Sequence, residues 1–256
     1  MFAPASGTST EITTRGSTLI LPAVSIGNVP QLAVDLLINT LRMQRIGVFD
    51  SASLTPVSGP AGYDHLGPEI RSHPLEVYQT SNGEWTTLQQ RSPPLPKHHR
   101  LFAREIMEYI KDGGFARVVV LASSDAALRT DALIDGSQIR TLTFNWDDDS
   151  LANRMQALSL SKLATGEGQS ALAASLNQIH AAGVTRPLLK LCEQAGVPTF
   201  AMVSLVNEGD NVPDAIMLAN AANAALGVAA AGDIAHWLPP RSWEWLIPTS
   251  VPSELF

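Results

Sequence analysis

The 256-residue chain carries one cysteine, Cys192, which excludes an internal disulfide and a metal cluster of thiolates. A lone thiol points to a reducing compartment, the cytosol or the nucleus. Basic residues are also scarce: 17 Lys and Arg stand against 24 Asp and Glu, a net charge of -7. Phosphate binding needs a basic surface, so nucleic acid is not an expected partner. No run of about 18 apolar residues occurs, and no membrane span is expected. The longest candidate, residues 219–231, is mostly alanine and contains Asn220 and Asn223. The start, Met1 to Arg15, is polar and lacks the basic-then-apolar pattern of a signal peptide. There is no internal repeat.

What is present suits a packed fold. Hydrophobic residues make up 45% of the chain and charged ones 16%. A chain this long hides about 70–75% of its unfolded area, enough for a core without staples. Ser17 to Val24 reads as a buried strand, Gly27-Asn28 as a turn, and Pro30 to Met43 as a helix with Ala33, Leu36, Leu37 and Leu41 on its apolar face. With a strand at Ile46 to Phe49, this makes a βαβ unit. Leu75 to Tyr78 and Trp85 to Arg91 form a hairpin around Asn82-Gly83. A helix over His98 to Asp112 stops at Gly113-Gly114. Arg117 to Leu121 and Pro198 to Val206 are strands buried on both faces. Residues 123–150 show no clear pattern, and 151–181 look helical with a break at Gly166 to Gly168. Thr185 is positioned to cap a helix that ends before Gly196, and Pro213 to Leu226 is another helix.

Alternating strands and helices predict an α/β fold: a three-layer α/β/α domain with a mostly parallel sheet and an extended C-terminal tail. The expected divisions are a flexible 1–16, one α/β domain over 17–245 with a helical insertion at about 145–182, and the tail 246–256.

Reactive constellations are hard to find. Ser25 to Pro30 occupies the place of a phosphate loop, but has one glycine and a proline that removes a donor. Glu208, Asp210 and Asp214 could hold a cation or act as an acid–base pair. The simpler account makes Asp210 or Asn211 a helix cap, with Pro213 in the first turn and Asp214 at the positive helix end. Ser123-Ser124-Asp125 follows a central strand but lacks the Gly-x-Ser-x-Gly elbow of a serine nucleophile. The six histidines are scattered, with His98-His99 facing solvent at a helix start, and Cys192 reads as a small core residue. No catalytic, cofactor or metal site is expected. The segment that stands out is Glu254-Leu255-Phe256, an apolar ending suited to capture by another protein.

Four blocks carry a family resemblance. Leu21-Pro-Ala-Val-Ser-Ile-Gly-Asn-Val29 with the helix Gln31 to Ile38, the strand Ala116 to Ser124, the block Val206-Asn-Glu-Gly-Asp-Asn-Val-Pro-Asp-Ala215, and the ending Leu255-Phe256 fall in order. They resemble the proteasome assembly chaperone 2 (PAC2) family. The resemblance implies a fold similar to nucleoside phosphorylases and hydrolases without their activity, and no cofactor. It implies a heterodimer with proteasome assembly chaperone 1 that promotes assembly of the proteasome α-ring and hinders off-pathway ring association, in cytoplasm and nucleus. It implies that Glu254, Leu255 and Phe256 enter a pocket between α-subunits, although the family tail pattern has tyrosine second from the end. The matching positions Gly27, Asn28, Glu208, Gly209, Asp210, Asn211, Pro213 and Asp214 are expected to be structural. The rival from another class is a nucleoside-processing enzyme using Asp125 or the Glu208/Asp210/Asp214 cluster. A homodimeric scaffold is the third reading.

Overall fold

The computed structural model describes residues 2–4, 13–129, 133–163, 171–229 and 236–245. The first half of the chain runs β1 (Phe2–Pro4), β2 (Thr18–Pro22), α1 (Val29–Thr40), β3 (Gln44–Phe49), β4 (Gly59–Pro60), β5 (Arg71–Ser72), β6 (Leu75–Gln79), β7 (Trp85–Gln90) and α2 (His99–Gly113). The second half runs β8 (Arg117–Asp125), β9 (Ile139–Phe144), α3 (Asp149–Ala157), β10 (Ser161–Lys162), α4 (Ala171–Leu176), α5 (Thr185–Gln194), β11 (Thr199–Val206) and α6 (Val212–Leu226).

Nine strands make one mixed sheet in the order β1-β3-β6-β7-β2-β8-β11-β9-β10, while β4 and β5 pair separately. Its centre, β7-β2-β8-β11, is parallel; β6 and β9 run antiparallel to their inner neighbours. Period-two alternation divides the core. Leu19, Leu21, Val118 and Val120 face α2, α4 and α5, whereas Ile20, Val119 and Leu121 face α1, α3 and α6. Each such fully buried side chain contributes about 1.5–3 kcal/mol. The result is the expected α/β/α sandwich.

The β2–α1–β3 crossover links two parallel strands, but the hairpin β6–β7 lies between them. Its turn is closed by Gly83 N–H to Thr80 O at 2.9 Å, with Gly83 at φ 73°. α2 ends where expected, with Gly114 at φ 61°.

Several stretches differ from their sequence patterns. Where a flexible start was expected, Phe2–Pro4 pairs with β3, and Thr14 and Gly16 bond to Gly113 and Gly114. β8 runs on to Asp125 because Ser123 and Ser124 keep pairing with β11. The patternless stretch contains β9; the short β10 covers it only at Arg140 and Thr141, so Leu142 to Phe144 stay half-exposed and the alternation is blurred. The described residues within 145–182 are shared out: α3 packs beside α6, β10 extends the sheet edge, and α4 joins the opposite face. Thr185 is not a cap but the first residue of α5, and its hydroxyl donates to Ala182 O at 2.6 Å.

Candidate functional site

Open parallel sheets bind ligands in the crevice beyond the carboxyl ends of their strands. Here that edge is occupied by the chain itself. Ser25 and Ser123 share a 2.8 Å hydroxyl hydrogen bond; Ser123 also donates to Ile26 O, and its own N–H donates to Ser25 Oγ. Ser124 Oγ donates to His180 O and accepts from His180 N–H, at 3.0 and 2.8 Å. The loop around His180 lies so close that a Cβ on Gly183 would overlap Val24 O. Asp125 is likewise engaged, accepting from Ala127 N–H at 2.9 Å. The serine and aspartate that follow a central strand are therefore bound to backbone.

Two sequence blocks 184 positions apart meet at this edge, as 211 less 27 gives. Gly27, at φ 68°, packs its bare Cα against Asn211, whose Oδ1 would lie 2.4 Å from an added Cβ. Asn211 is buried and ties its turn together, its Nδ2 donating to Asn207 O and Asp214 Oδ2 at 2.9 Å each. Asn28 takes the left-handed conformation at φ 52° and occupies the N-cap position of α1. Asn211 holds the N-cap position of α6 without a side-chain cap bond; the Asp210 carboxylate accepts from Val212 N–H instead. Pro213 is in the first turn of α6, as expected, and Glu208 and Gly209 form an exposed bend. Among the described residues no group of three or more His, Cys, Asp and Glu is placed to hold a metal. Cys192 is buried, and burial pushes its thiol up to about 11.

A cavity of about 320 Å3 opens at the opposite, amino-terminal end of β2, β7 and β8. There the Arg117 guanidinium stands 4.9 Å over the Trp146 ring and 3.6 Å from Asp148.

A buried polar cluster among the described residues was missed by sequence reasoning. Asp35, on α1, accepts from Tyr63 Oη (2.7 Å), Gln89 Nε2 (2.6 Å) and Trp243 Nε1 (3.0 Å). Arg91 lies 3.7 Å from Asp35 and donates to Glu76 at 2.8 Å, and Arg45 pairs with Glu76 from the other side. Burial, reinforced by Asp35, holds the Tyr63 phenol far above its ordinary range, so it stays a donor. The cluster anchors Trp243, which is 2% exposed although it lies in a proline-rich stretch. One signal was legible: Asp35 interrupts the apolar run Leu32 to Ile38, and an acid there must be buried with partners. The segment Glu254-Leu255-Phe256 lies outside the described residues, as does Gly166 to Gly168.

A profile of the PAC2 family matches residues 19–231. The chain belongs to the PAC2 family. Relatives named proteasome assembly chaperone 2 match over nearly the whole length. The protein from Danio rerio is 34% identical over 250 residues, covering 94% of this chain and 95% of its own. The Homo sapiens protein is 30% identical over 267 residues and covers 100% of both. Among solved structures, Pyrococcus furiosus PbaA, described as an archaeal homolog of proteasome-assembly chaperone, superposes with a TM-score of 0.60 at 18% identity, over 85% of this chain and 84% of that one. Pyrococcus furiosus PbaB, described as an archaeal proteasome activator, gives 0.60 at 12% identity and 90% of both chains. At such identities the likeness shows the fold alone. The family match includes Gly27, Asn28 and Glu208 to Asp214 and stops before Trp243.

Proposed function

We propose that this chain is a non-catalytic assembly chaperone of the proteasome that works by reversible contacts with other protein subunits. The observation that carries this is the identity of 30–34% with proteins named proteasome assembly chaperone 2 over 94–100% of the chain. The occupied strand edge supports it, because Ser123, Ser124 and Asp125 already serve local backbone. The nucleoside-processing alternative needs those groups free, or the Glu208/Asp210/Asp214 turn to act as a site; there Asp210 and Asp214 hold their own helix start.

In this proposal the chain pairs with proteasome assembly chaperone 1 in cytoplasm and nucleus. The pair promotes assembly of the α-ring of the core particle and hinders off-pathway ring association. Glu254, Leu255 and Phe256 form a contact with an α-subunit pocket. Burying Leu255 and Phe256 contributes about 1.5–3 kcal/mol each, while each ordered residue costs about 1–2 kcal/mol. The segment therefore acts as a second contact, tethered to a body that already touches the partner. Trp243, held by Asp35, supplies a firm attachment for the chain that leads to it.

The test is affinity purification of the tagged full chain from cells. Proteasome α-subunits and the partner chaperone are the expected co-purifying proteins, and deletion of Ser253–Phe256 should weaken α-subunit recovery while sparing the partner. Recovery of the chain alone, together with base release from purine nucleosides in phosphate, would establish the enzyme reading instead.

A further inference from the structure

Beside the sheet edge formed by β1 and β3, the last turns of α2 border a cavity of about 550 Å3. Its lining is aromatic on one side. The ring of Tyr109 on α2 lies 5.5 Å from Phe2 and 5.7 Å from Phe49, centroid to centroid. On the other side it is acidic. Glu105, Glu108 and Asp112 line it from successive turns of one helix face, at spacings of three and four. None of the described lining residues is basic, and no ion pair joins these three acids to a described lysine or arginine. Glu105 accepts from the Ser51 and Ser53 hydroxyls, whereas Glu108 and Asp112 are exposed.

Two features separate this from an ordinary solvated acidic face. Asp112 stands in the last turn of α2 beside Lys111, where the helix end is itself negative, so it opposes the dipole. Tyr109 is 94% buried, being 6% exposed, and its hydroxyl has no hydrogen-bond partner among the described residues. Buried hydroxyls are nearly always partnered, and this one, itself shut away from solvent, is not. Burial raises the phenol well above its ordinary value and keeps it neutral.

We propose that this cavity receives a basic side chain of a partner protein, arginine in preference to lysine. A guanidinium stacks flat on aromatic rings and forks onto carboxylates. The acidic border repels anions, so the Glu254–Phe256 segment of a second copy does not fit. That a protein carries the guest rests on the chaperone reading; the choice of a cation rests on the cavity itself.

The experiment titrates the full chain with N-acetyl-arginine methylamide and, separately, its citrulline counterpart, following the methyl signal of Ile46 and the amides of Glu108 to Gly113 by NMR. Saturable shifts with arginine and about tenfold weaker ones with citrulline are expected, since the two differ in charge but hardly in shape. The double variant E108Q/D112N should bind arginine about three- to fivefold more weakly with an unlowered thermal midpoint, whereas Y109F, which keeps the ring, should bind it as the unaltered chain does. Equal binding of citrulline, unchanged binding in E108Q/D112N, or a lowered midpoint for that variant would overturn the proposal. The chaperone reading is scored separately, by recovery of proteasome subunits. Subunits recovered without any arginine shift sink the cavity proposal alone. Arginine shifts without subunits sink the chaperone reading, and with it the protein guest.

Discussion

Two of the buried polar regions among the described residues differ in kind. At the carboxyl ends of β2 and β8, neutral groups close the crevice: Ser25, Ser123 and Ser124 bond to one another or to backbone. Toward the β3 side of the sheet, two acids and two arginines share one cluster, with Asp35 serving Tyr63, Gln89, Trp243 and Arg91 at once. Neutral hydrogen bonds are each worth about 1 kcal/mol and can be lost one at a time. A buried charge behaves differently, because removing one partner leaves the others unpaired in a poor solvent. The first region fills a space where related architectures bind ligands. The second fastens a distant stretch of chain to the body.

That contrast orders the expected effects. Replacing Asp35 with Ala should cost the most, about 3–5 kcal/mol, by leaving the two arginines one counter-charge short and freeing Trp243. A guanidinium unfolding curve measures it, with Trp fluorescence reporting the indole; a cost below about 1 kcal/mol would erase the distinction between the regions. Gly27→Ala comes next, at about 1–3 kcal/mol, since alanine is strained at φ 68° and its Cβ would meet Asn211. Adding Asn211→Ala should recover part of that loss, and strict additivity in the double-mutant cycle would show that the two blocks do not press on each other. Ser123→Ala is smaller, about 1 kcal/mol, because Ser25 keeps its bond to Ala23 O.

The smallest effect is electrostatic and belongs to neither region. Asp148 caps α3, and its hydrogen bonds, from Ser150 first, hold its carboxyl below the usual carboxylate value despite an opposing desolvation. A folded-state value below the unfolded one adds stability that is complete above the unfolded pKa. That stability is lost as pH falls through the folded one. Asp148→Asn keeps the cap, so its midpoint should converge on wild type at low pH and trail it slightly near neutrality. A gap that widens toward acid would contradict this.

Much of the architecture was legible locally. The run Arg117 to Leu121 announced a doubly buried strand, Asn82-Gly83 a hairpin and Gly113-Gly114 a helix end, because each reflects side-chain period or backbone freedom within a few residues. β9 was not legible, since a strand that its outer neighbour covers over only two residues is half-exposed at one end and shows weak alternation. Of the candidate site, the Gly27 and Asp210 to Asp214 blocks were identified, but not that Gly27 abuts Asn211. Trp243 looked like part of a loose tail because nothing near it in sequence names Asp35 as its partner.

The sequence by itself determined the central strands, the hairpin, where α2 and α6 start and stop, and which family the chain resembles. Only the tertiary structure decided that β6–β7 enters between β2 and β3, that the strand ends are filled by Ser25, Gly183 and Asn211, and that Asp35 binds Trp243. The reason is physical: periodicity encodes the direction in which a side chain points, while packing over the whole chain selects what it meets.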